Sequence, residues 1–140
     1  MITGAAAIVI LLVLAAVHLY WAAGGKAGKA GAIPTAEGHP VIKPSAIGTA
    51  MVAAALCAIA ALVALRIGWL TLPGFPSDHI FVRIAAWLIA AVFALRAVGD
   101  FRYVGFFKRV RGSRFARLDT LAYSPLCTAL ALLIGIAASR

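Results

Sequence analysis

The stretch from Arg96 to Tyr123, RAVGDFRYVGFFKRVRGSRFARLDTLAY, decides how the chain is organised. It is basic and aromatic, and it separates two apolar runs that are each close to the ~20 residues needed to cross a bilayer as a helix. Two more apolar runs precede it. The pattern predicts an all-α integral membrane four-helix bundle, a single domain over residues 1–140 with spans near 3–22, 45–68, 79–99 and 120–139.

The composition is that of a membrane protein. Of the 140 residues, 64% are hydrophobic and 12% are charged, whereas soluble domains carry about 25% charged residues. A net charge of +9 would suggest nucleic-acid binding in a soluble protein. Because the bases here lie at the ends of apolar runs, the charge indicates membrane topology instead, and we expect no nucleic-acid partner.

Within the central stretch, Tyr103, Phe106, Phe107 and Val110 recur with the period of a helix. Bases fall on the opposite side of the helical wheel. The pattern predicts a short amphipathic juxtamembrane segment between spans three and four, helical until Gly112, with its aromatic side in lipid. The bases expected to contact anionic lipid are Arg102, Lys108, Arg109, Arg111, Arg114 and Arg117.

The basic residues are distributed unevenly between the two sides of the predicted bundle. The loops after spans one and three carry most of them, and Arg66, Arg83 and Arg140 lie on the other side. Loops rich in Lys and Arg face the cytoplasm in most membrane proteins. The sequence therefore predicts a multi-pass protein of a bacterial inner membrane with both termini on the non-cytoplasmic side.

Polar residues from three spans reach one depth at the predicted cytoplasmic ends. Arg96 and Asp100 are four residues apart and share a helix face, as do Asp119 and Tyr123. Ionisable groups near apolar depth are costly and tend to face a bundle interior or a cavity. The candidate ligand-binding residues are His18, Tyr20, Arg96, Asp100, Asp119 and Tyr123.

Each pair also has a structural interpretation, since Arg96 and Asp100 could form an intrahelical ion pair and Asp119 could cap span four. In an enzyme, His18 would transfer protons and Arg96 would hold an anionic or carbonyl oxygen. The sequence identifies no catalytic residue and no cofactor, so enzymatic activity stays open. It also lacks the spacing of a preformed metal site.

Span two consists mainly of small residues, which let a second helix backbone approach closely. Alanine occupies every fourth position over residues 46–58. Cys57 and Cys127 both lie in apolar runs and are interpreted as buried packing residues. A disulfide between the two remains open.

A resemblance that covers nearly the whole chain rests on four motifs: HLYWAAGG at 18–25, RAVGDFRYVGFFK at 96–108, FARLD at 115–119 and YSPLC at 123–127. In these motifs the chain resembles a bacterial family of small four-span membrane proteins known only as a domain of unknown function. The resemblance implies the four-helix topology and directs attention to the same cytoplasmic-end residues. It implies no activity.

These observations predict a small polytopic inner-membrane protein that binds a lipid-like or amphiphilic molecule at the polar cluster. An alternative is a non-catalytic accessory subunit whose alanine faces pack within a homo-oligomer or a larger membrane complex. A third is a small oligomeric transporter, which is disfavoured because the span centres offer only weak polar groups such as Thr49 and Thr128. Membrane lipids are expected partners in every case.

Overall fold

A computed structural model describes residues 1–36, 39–74 and 76–140. The elements of these residues are α1 (Ile2–Ala22), α2 (Lys29–Ala32), β1 (Thr35–Ala36), β2 (His39–Pro40), α3 (Ala46–Arg66), α4 (Ile80–Val98), α5 (Arg114–Leu118), a π-helix (Asp119–Tyr123) and α6 (Ser124–Ser139). The run from Arg114 to Ser139 is continuously helical, and with α1, α3 and α4 it makes four helices long and apolar enough to cross a membrane. The predicted all-α membrane bundle is confirmed.

The spans pack as two pairs, α1 with α3 and α4 with α6, and contacts between α1 and α6 join the pairs. Small side chains such as Ala7 in α1 and Ala86 in α4 are almost completely buried, which allows the backbones to approach closely. Leu11, Val63 and Ile134 fill the centre of the core. The interior is therefore apolar along most of its length.

The connection between α1 and α3 folds back over one end of the bundle. It contains α2 and the two-stranded antiparallel pair β1 and β2, in which Thr35 is opposite Pro40. Helix α2 lies against α5. Gly31 is the contact point, because a Cβ at this position would lie 2.7 Å from Cδ1 of Leu118. The connection is thereby attached to the fourth span.

The segment between α4 and α5 is not helical, so the helix predicted over 103–110 was wrong. Gly99, with a φ of 95°, ends α4. The carboxylate of Asp100 then accepts hydrogen bonds from the backbone N–H groups of residues 102–104. Because these N–H groups are already bonded to a side chain, a tight loop replaces the helix that the aromatic spacing suggested.

The fourth span starts earlier than predicted, because Ser113 rather than Asp119 caps it. The Ser113 hydroxyl oxygen accepts the N–H of Ala116 at 3.0 Å. A π-helix precedes Pro125, and in it the Ser124 N–H bonds to the carbonyl of Asp119 five residues earlier. The irregular turn thus lies directly before the residue that lacks an N–H.

The small-residue surface of α3 is divided between the bundle and its surroundings. Ala53 and Ala60 are buried, whereas Ala54, Cys57 and Ala58 are exposed on the outer surface. The burial predicted for Cys57 is therefore wrong. Both cysteine thiols are free, so the open question of a disulfide is answered in the negative for this structure.

Candidate functional site

Asp119 lies at the centre of a buried polar network at the end of α4. Its side chain is completely inaccessible to solvent. One carboxylate oxygen accepts from Nη2 of Arg96 at 2.9 Å. The other accepts from Nζ of Lys108 at 3.0 Å, from the Gly105 N–H at 2.7 Å and from the Ser124 hydroxyl at 3.3 Å. The carboxylate is therefore fully coordinated by protein groups.

Lys108 is as deeply buried as its partner, with 2% of its surface exposed. Its ammonium donates to the Gly105 carbonyl at 2.9 Å, to Asp119 and to the Thr120 hydroxyl at 2.6 Å. An ammonium has three donors, and all three are used. We call Arg96, Gly105, Lys108, Asp119, Thr120 and Ser124 the Asp119 network.

The loop of residues 99–105 delivers these groups to Asp119. Its two ends touch, since a Cβ on Gly99 or on Gly105 would overlap the backbone of the other end. The turn is closed by Asp100. Burial opposes ionisation of this carboxyl, but the backbone N–H donors outweigh that effect and hold the pKa of Asp100 below its usual range. Asp100 thus shapes the loop and does not join the Asp119 network.

His18 lies in a different place, between the end of α1 and the start of α3. Its Nδ1 is 2.7 Å from the Leu14 carbonyl oxygen. A carbonyl oxygen only accepts, so Nδ1 carries a proton, and in the tautomer with this one proton Nε2 is an acceptor. The ring also meets Trp21 edge-on, with 5.3 Å between the ring centroids.

His18 opens onto a cavity of about 210 Å³, which we call the His18 pocket. Its walls are His18, Trp21, Lys29, Ala32, Ile33, Pro44, Gly48, Thr49 and Val52. The surface of the cavity is mostly apolar. Among its polar side chains, Lys29 is half-buried and has no hydrogen-bond or ion-pair partner in the described part of the chain. A pocket with apolar walls and a few converging polar groups is the usual form of a small-molecule site.

The two candidate tyrosines serve the loop over the bundle end. The hydroxyl of Tyr123 donates to the Gly31 carbonyl oxygen at 3.2 Å and so fastens α2 to the π-helix. Tyr20 accepts the N–H of Ala27 at 3.4 Å, and its ring leaves no room for a side chain at Gly25. Neither tyrosine lines the His18 pocket.

The structure therefore divides the six candidate residues rather than gathering them. Arg96 and Asp119 meet in the Asp119 network, His18 lines a separate pocket, and Tyr20, Asp100 and Tyr123 hold loops. Sequence reasoning missed Lys29 as a pocket residue and Lys108 as an interior ion. No sequence signal marks Lys108, which sits among surface bases. The half-buried position of Lys29 follows only from the docking of α2.

Of the bases expected to contact anionic lipid, Lys108 is buried and is unavailable for that contact. The others are exposed: Arg102, Arg109, Arg111, Arg114 and Arg117. Phe101, Phe106 and Phe107 are exposed beside them. The segment is amphipathic in composition although it is not a helix.

In the described part of the chain, the acidic, histidine and cysteine side chains do not converge on a metal-sized site. Among the described residues, no group of three or more His, Cys, Asp or Glu side chains could hold a metal ion. The strongest ionic site, around Asp119, already contains two cations from the protein.

Comparison with known proteins gives a family without an assigned activity. No curated protein and no solved structure matches the chain significantly. The model of the family described as Protein of unknown function (DUF3995) matches residues 11–134, which include the His18 pocket and the Asp119 network. Since the match spans most of the chain, the protein belongs to this family of proteins of unknown function.

Proposed function

We propose that this multi-pass membrane protein binds a small amphiphilic molecule in the His18 pocket. The proposal rests on the cavity of about 210 Å³, whose wall is mostly apolar. Two polar groups interrupt this wall: Nε2 of His18, and Lys29, which is half-buried and has no partner among the described residues. Such a wall suits a molecule with an apolar chain and a polar head. The sequence-based hypothesis of an amphiphile site is kept, but its location moves from Arg96 and Asp119 to His18.

The Asp119 network is the weaker ligand site because the Asp119 carboxylate and the Lys108 ammonium are already occupied, although Nη1 of Arg96 is buried without a partner among the described residues. A ligand there would have to break hydrogen bonds to Asp119 or Lys108, which are buried and bonded to protein on every side. Removing one partner from a buried ion pair costs about 3–5 kcal/mol. We infer that this network holds the loop and the fourth span together.

The proposed orientation places the His18 pocket at the cytoplasmic end of the bundle, in a bacterial inner membrane. The support is the excess of Lys and Arg in the connections after α1 and α4, many of them exposed, such as Lys26, Arg102 and Arg109. A ligand would then enter from the cytoplasm or from the inner leaflet.

An impermeant thiol reagent tests this orientation. Single cysteines are added at residue 26 or 109 in a Cys57→Ser and Cys127→Ser background, and their labelling from outside the cell reports on which side of the membrane these residues lie.

Filling the pocket should abolish ligand retention. Ala32→Trp places an indole in the cavity, and we expect at least a tenfold lower amount of co-purified amphiphile, because the cavity would lose most of its volume. Native mass spectrometry of gently purified protein, with extraction of the bound molecules, measures the effect.

Ala30→Trp is the matched control, since Ala30 lies on α2 but is exposed and does not line the pocket. It should retain the ligand at the wild-type level. Equal retention by both variants, with the bundle folded, would remove the pocket from consideration.

A second candidate function, the accessory or homo-oligomeric subunit, is favoured by the exposed small residues Ala54, Cys57 and Ala58 on α3. In lipid, such surfaces associate by close backbone packing.

Ala58→Leu should then lower the fraction of the protein that is bound to a second copy or to another subunit by about tenfold, measured by native mass spectrometry. Val92→Leu, on the exposed face of α4, should leave this fraction unchanged. No comparable observation among the described residues favours transport.

A further inference from the structure

We infer that the His18 pocket selects amphiphiles with an anionic head group, a carboxylate or a phosphate, and that Lys29 supplies the counter-charge. The inference rests on the proposed function and specifies its ligand. It is carried by the position of Lys29 inside the pocket wall and by the hydrogen-bonding state of the other polar groups there.

The backbone of Lys29 is held beside the pocket by structure on both sides of it. Gly28, with a φ of 74°, turns the chain into α2 immediately before Lys29. Gly31, two residues later, is fixed to the fourth span by the Tyr123 hydroxyl and by packing on Leu118. The stem of Lys29 therefore begins from a fixed backbone, which lowers the entropy cost of holding an anion.

The other polar side chains at the pocket have their donors committed to the protein. The Trp21 ring N–H donates to the Ala27 carbonyl at 2.7 Å. The Thr49 hydroxyl donates to the Ser45 carbonyl at 2.8 Å, and His18 Nδ1 donates to Leu14. Lys29 is thus the main side-chain donor left for a ligand, while Nε2 of His18 can accept from a hydroxyl on the ligand head.

Lys29 also sets the sign of the electrostatic potential in the pocket. The two helix ends at the pocket, the C-terminal end of α1 and the N-terminal end of α3, carry dipole charges of opposite sign and largely offset one another. No carboxylate appears among the described residues that line the cavity. A cationic head would face Lys29 without a counter-charge, whereas an anionic head would form charge-assisted hydrogen bonds with it.

The cavity volume limits how much of the ligand is enclosed. About 210 Å³ is smaller than the roughly 300–1,000 Å³ typical of pockets that surround a whole small ligand. We therefore expect the head group and the first part of an alkyl chain to lie against Trp21 and Val52. The rest of the chain would extend into the surrounding lipid.

The test uses the full chain in phosphatidylcholine nanodiscs, with Trp69→Phe and Trp87→Phe so that Trp21 alone reports binding by fluorescence. The probes are dodecanoate, dodecyl phosphate, dodecyltrimethylammonium and dodecyl maltoside, together with inorganic phosphate as a competitor. Lys29→Met is compared with Lys26→Met, which removes the same charge from an exposed site outside the pocket wall.

We expect the two anionic probes to bind at least tenfold more tightly than the cationic and neutral probes. Lys29→Met should weaken the anionic probes about tenfold or more, the scale of one hydrogen bond to a charged group. Lys26→Met should change them by less than about twofold. Inorganic phosphate should displace dodecyl phosphate only at far higher concentration, because it lacks the apolar contacts.

Four results would overturn the inference. Equal binding of all four probes, abolished when Ala32→Phe fills the cavity without adding a tryptophan, would leave the pocket as an amphiphile site but remove the charge selectivity. Anionic preference unchanged by Lys29→Met would assign the selectivity to another group. Displacement by inorganic phosphate at the concentration of dodecyl phosphate would make the site one for free anions. Absence of binding by every probe would contradict both this inference and the proposed function.

Discussion

Replacing Asp119 by Asn is expected to lower the free energy of unfolding by about 3–5 kcal/mol, the cost of removing one partner from a buried ion pair. The substitution leaves the Lys108 ammonium buried, with 2% exposure, and without a counter-charge. It also removes the negative charge that pairs with Arg96 at 2.9 Å. The amide offers one acceptor oxygen where the carboxylate uses two. The loop and the fourth span would lose their common anchor.

Denaturant unfolding in detergent, followed by circular dichroism, measures this change. Asp78→Asn is the control, because Asp78 is an exposed carboxylate in the loop before α4, and its loss should cost less than about 0.5 kcal/mol. Adding Lys108→Met to Asp119→Asn should recover part of the stability, since the unpaired buried charge is removed. Wild-type stability together with lost ligand retention in Asp119→Asn would instead make Asp119 a ligand-binding residue.

Gly105→Ala should destabilise the protein by about 3 kcal/mol or more, because two penalties act together. Gly105 has a φ of 87°, in the left-handed region that alanine avoids. In addition, a Cβ there would overlap the carbonyl oxygen of Val98 and the backbone of Gly99. The loop would have to separate from the end of α4, and the N–H that Gly105 donates to Asp119 would move with it.

Gly74→Ala separates the two penalties. Gly74 has a φ of 82°, and apart from its chain neighbours no atom of the described residues lies within 4 Å of the added Cβ, so the backbone strain of about 1–2 kcal/mol remains. The difference between the two unfolding free energies therefore measures the backbone contact between Gly99 and Gly105. Equal losses in both variants would show that this contact contributes nothing to stability.

The spans were predictable because a bilayer imposes a length that local sequence must satisfy. The apolar runs near 3–22, 45–68 and 79–99 correspond closely to α1, α3 and α4. The fourth span was placed late because residues 114–119 carry two arginines and an aspartate. Their inclusion in a helix depends on the Ser113 cap and on the burial of Asp119 by tertiary contacts.

The loop of residues 99–105 was not predictable from hydrophobic periodicity. The spacing from Tyr103 to Val110 fits a helix, but the carboxylate of Asp100 and the two glycines fix another backbone path. The burial of Lys108 follows from that path. A lysine among exposed arginines carries no local signal of an interior position.

The candidate cluster was predicted from common depth and from spacing within single helices, and neither fixes the direction in which a side chain points relative to the other helices. Arg96 and Asp119, which come from two different spans at a similar depth, do form a contact in the structure. Common depth could not bring together His18 and Tyr20, because residues two apart on a helix do not share a face. Lys29 enters the His18 pocket only through the docking of Gly31, a long-range contact that a single sequence does not reveal.

The position at which a bound amphiphile can be cross-linked distinguishes the His18 pocket from the Asp119 network. Cells expressing the protein would be fed a fatty acid that carries a diazirine and an alkyne, irradiated, and the labelled peptides of the purified protein identified by mass spectrometry. We expect the labels to concentrate in residues 14–33 and 44–52, around the His18 pocket, and Ala32→Trp to remove them. Labels concentrated instead around Arg96 and Asp119, and insensitive to Ala32→Trp, would contradict it.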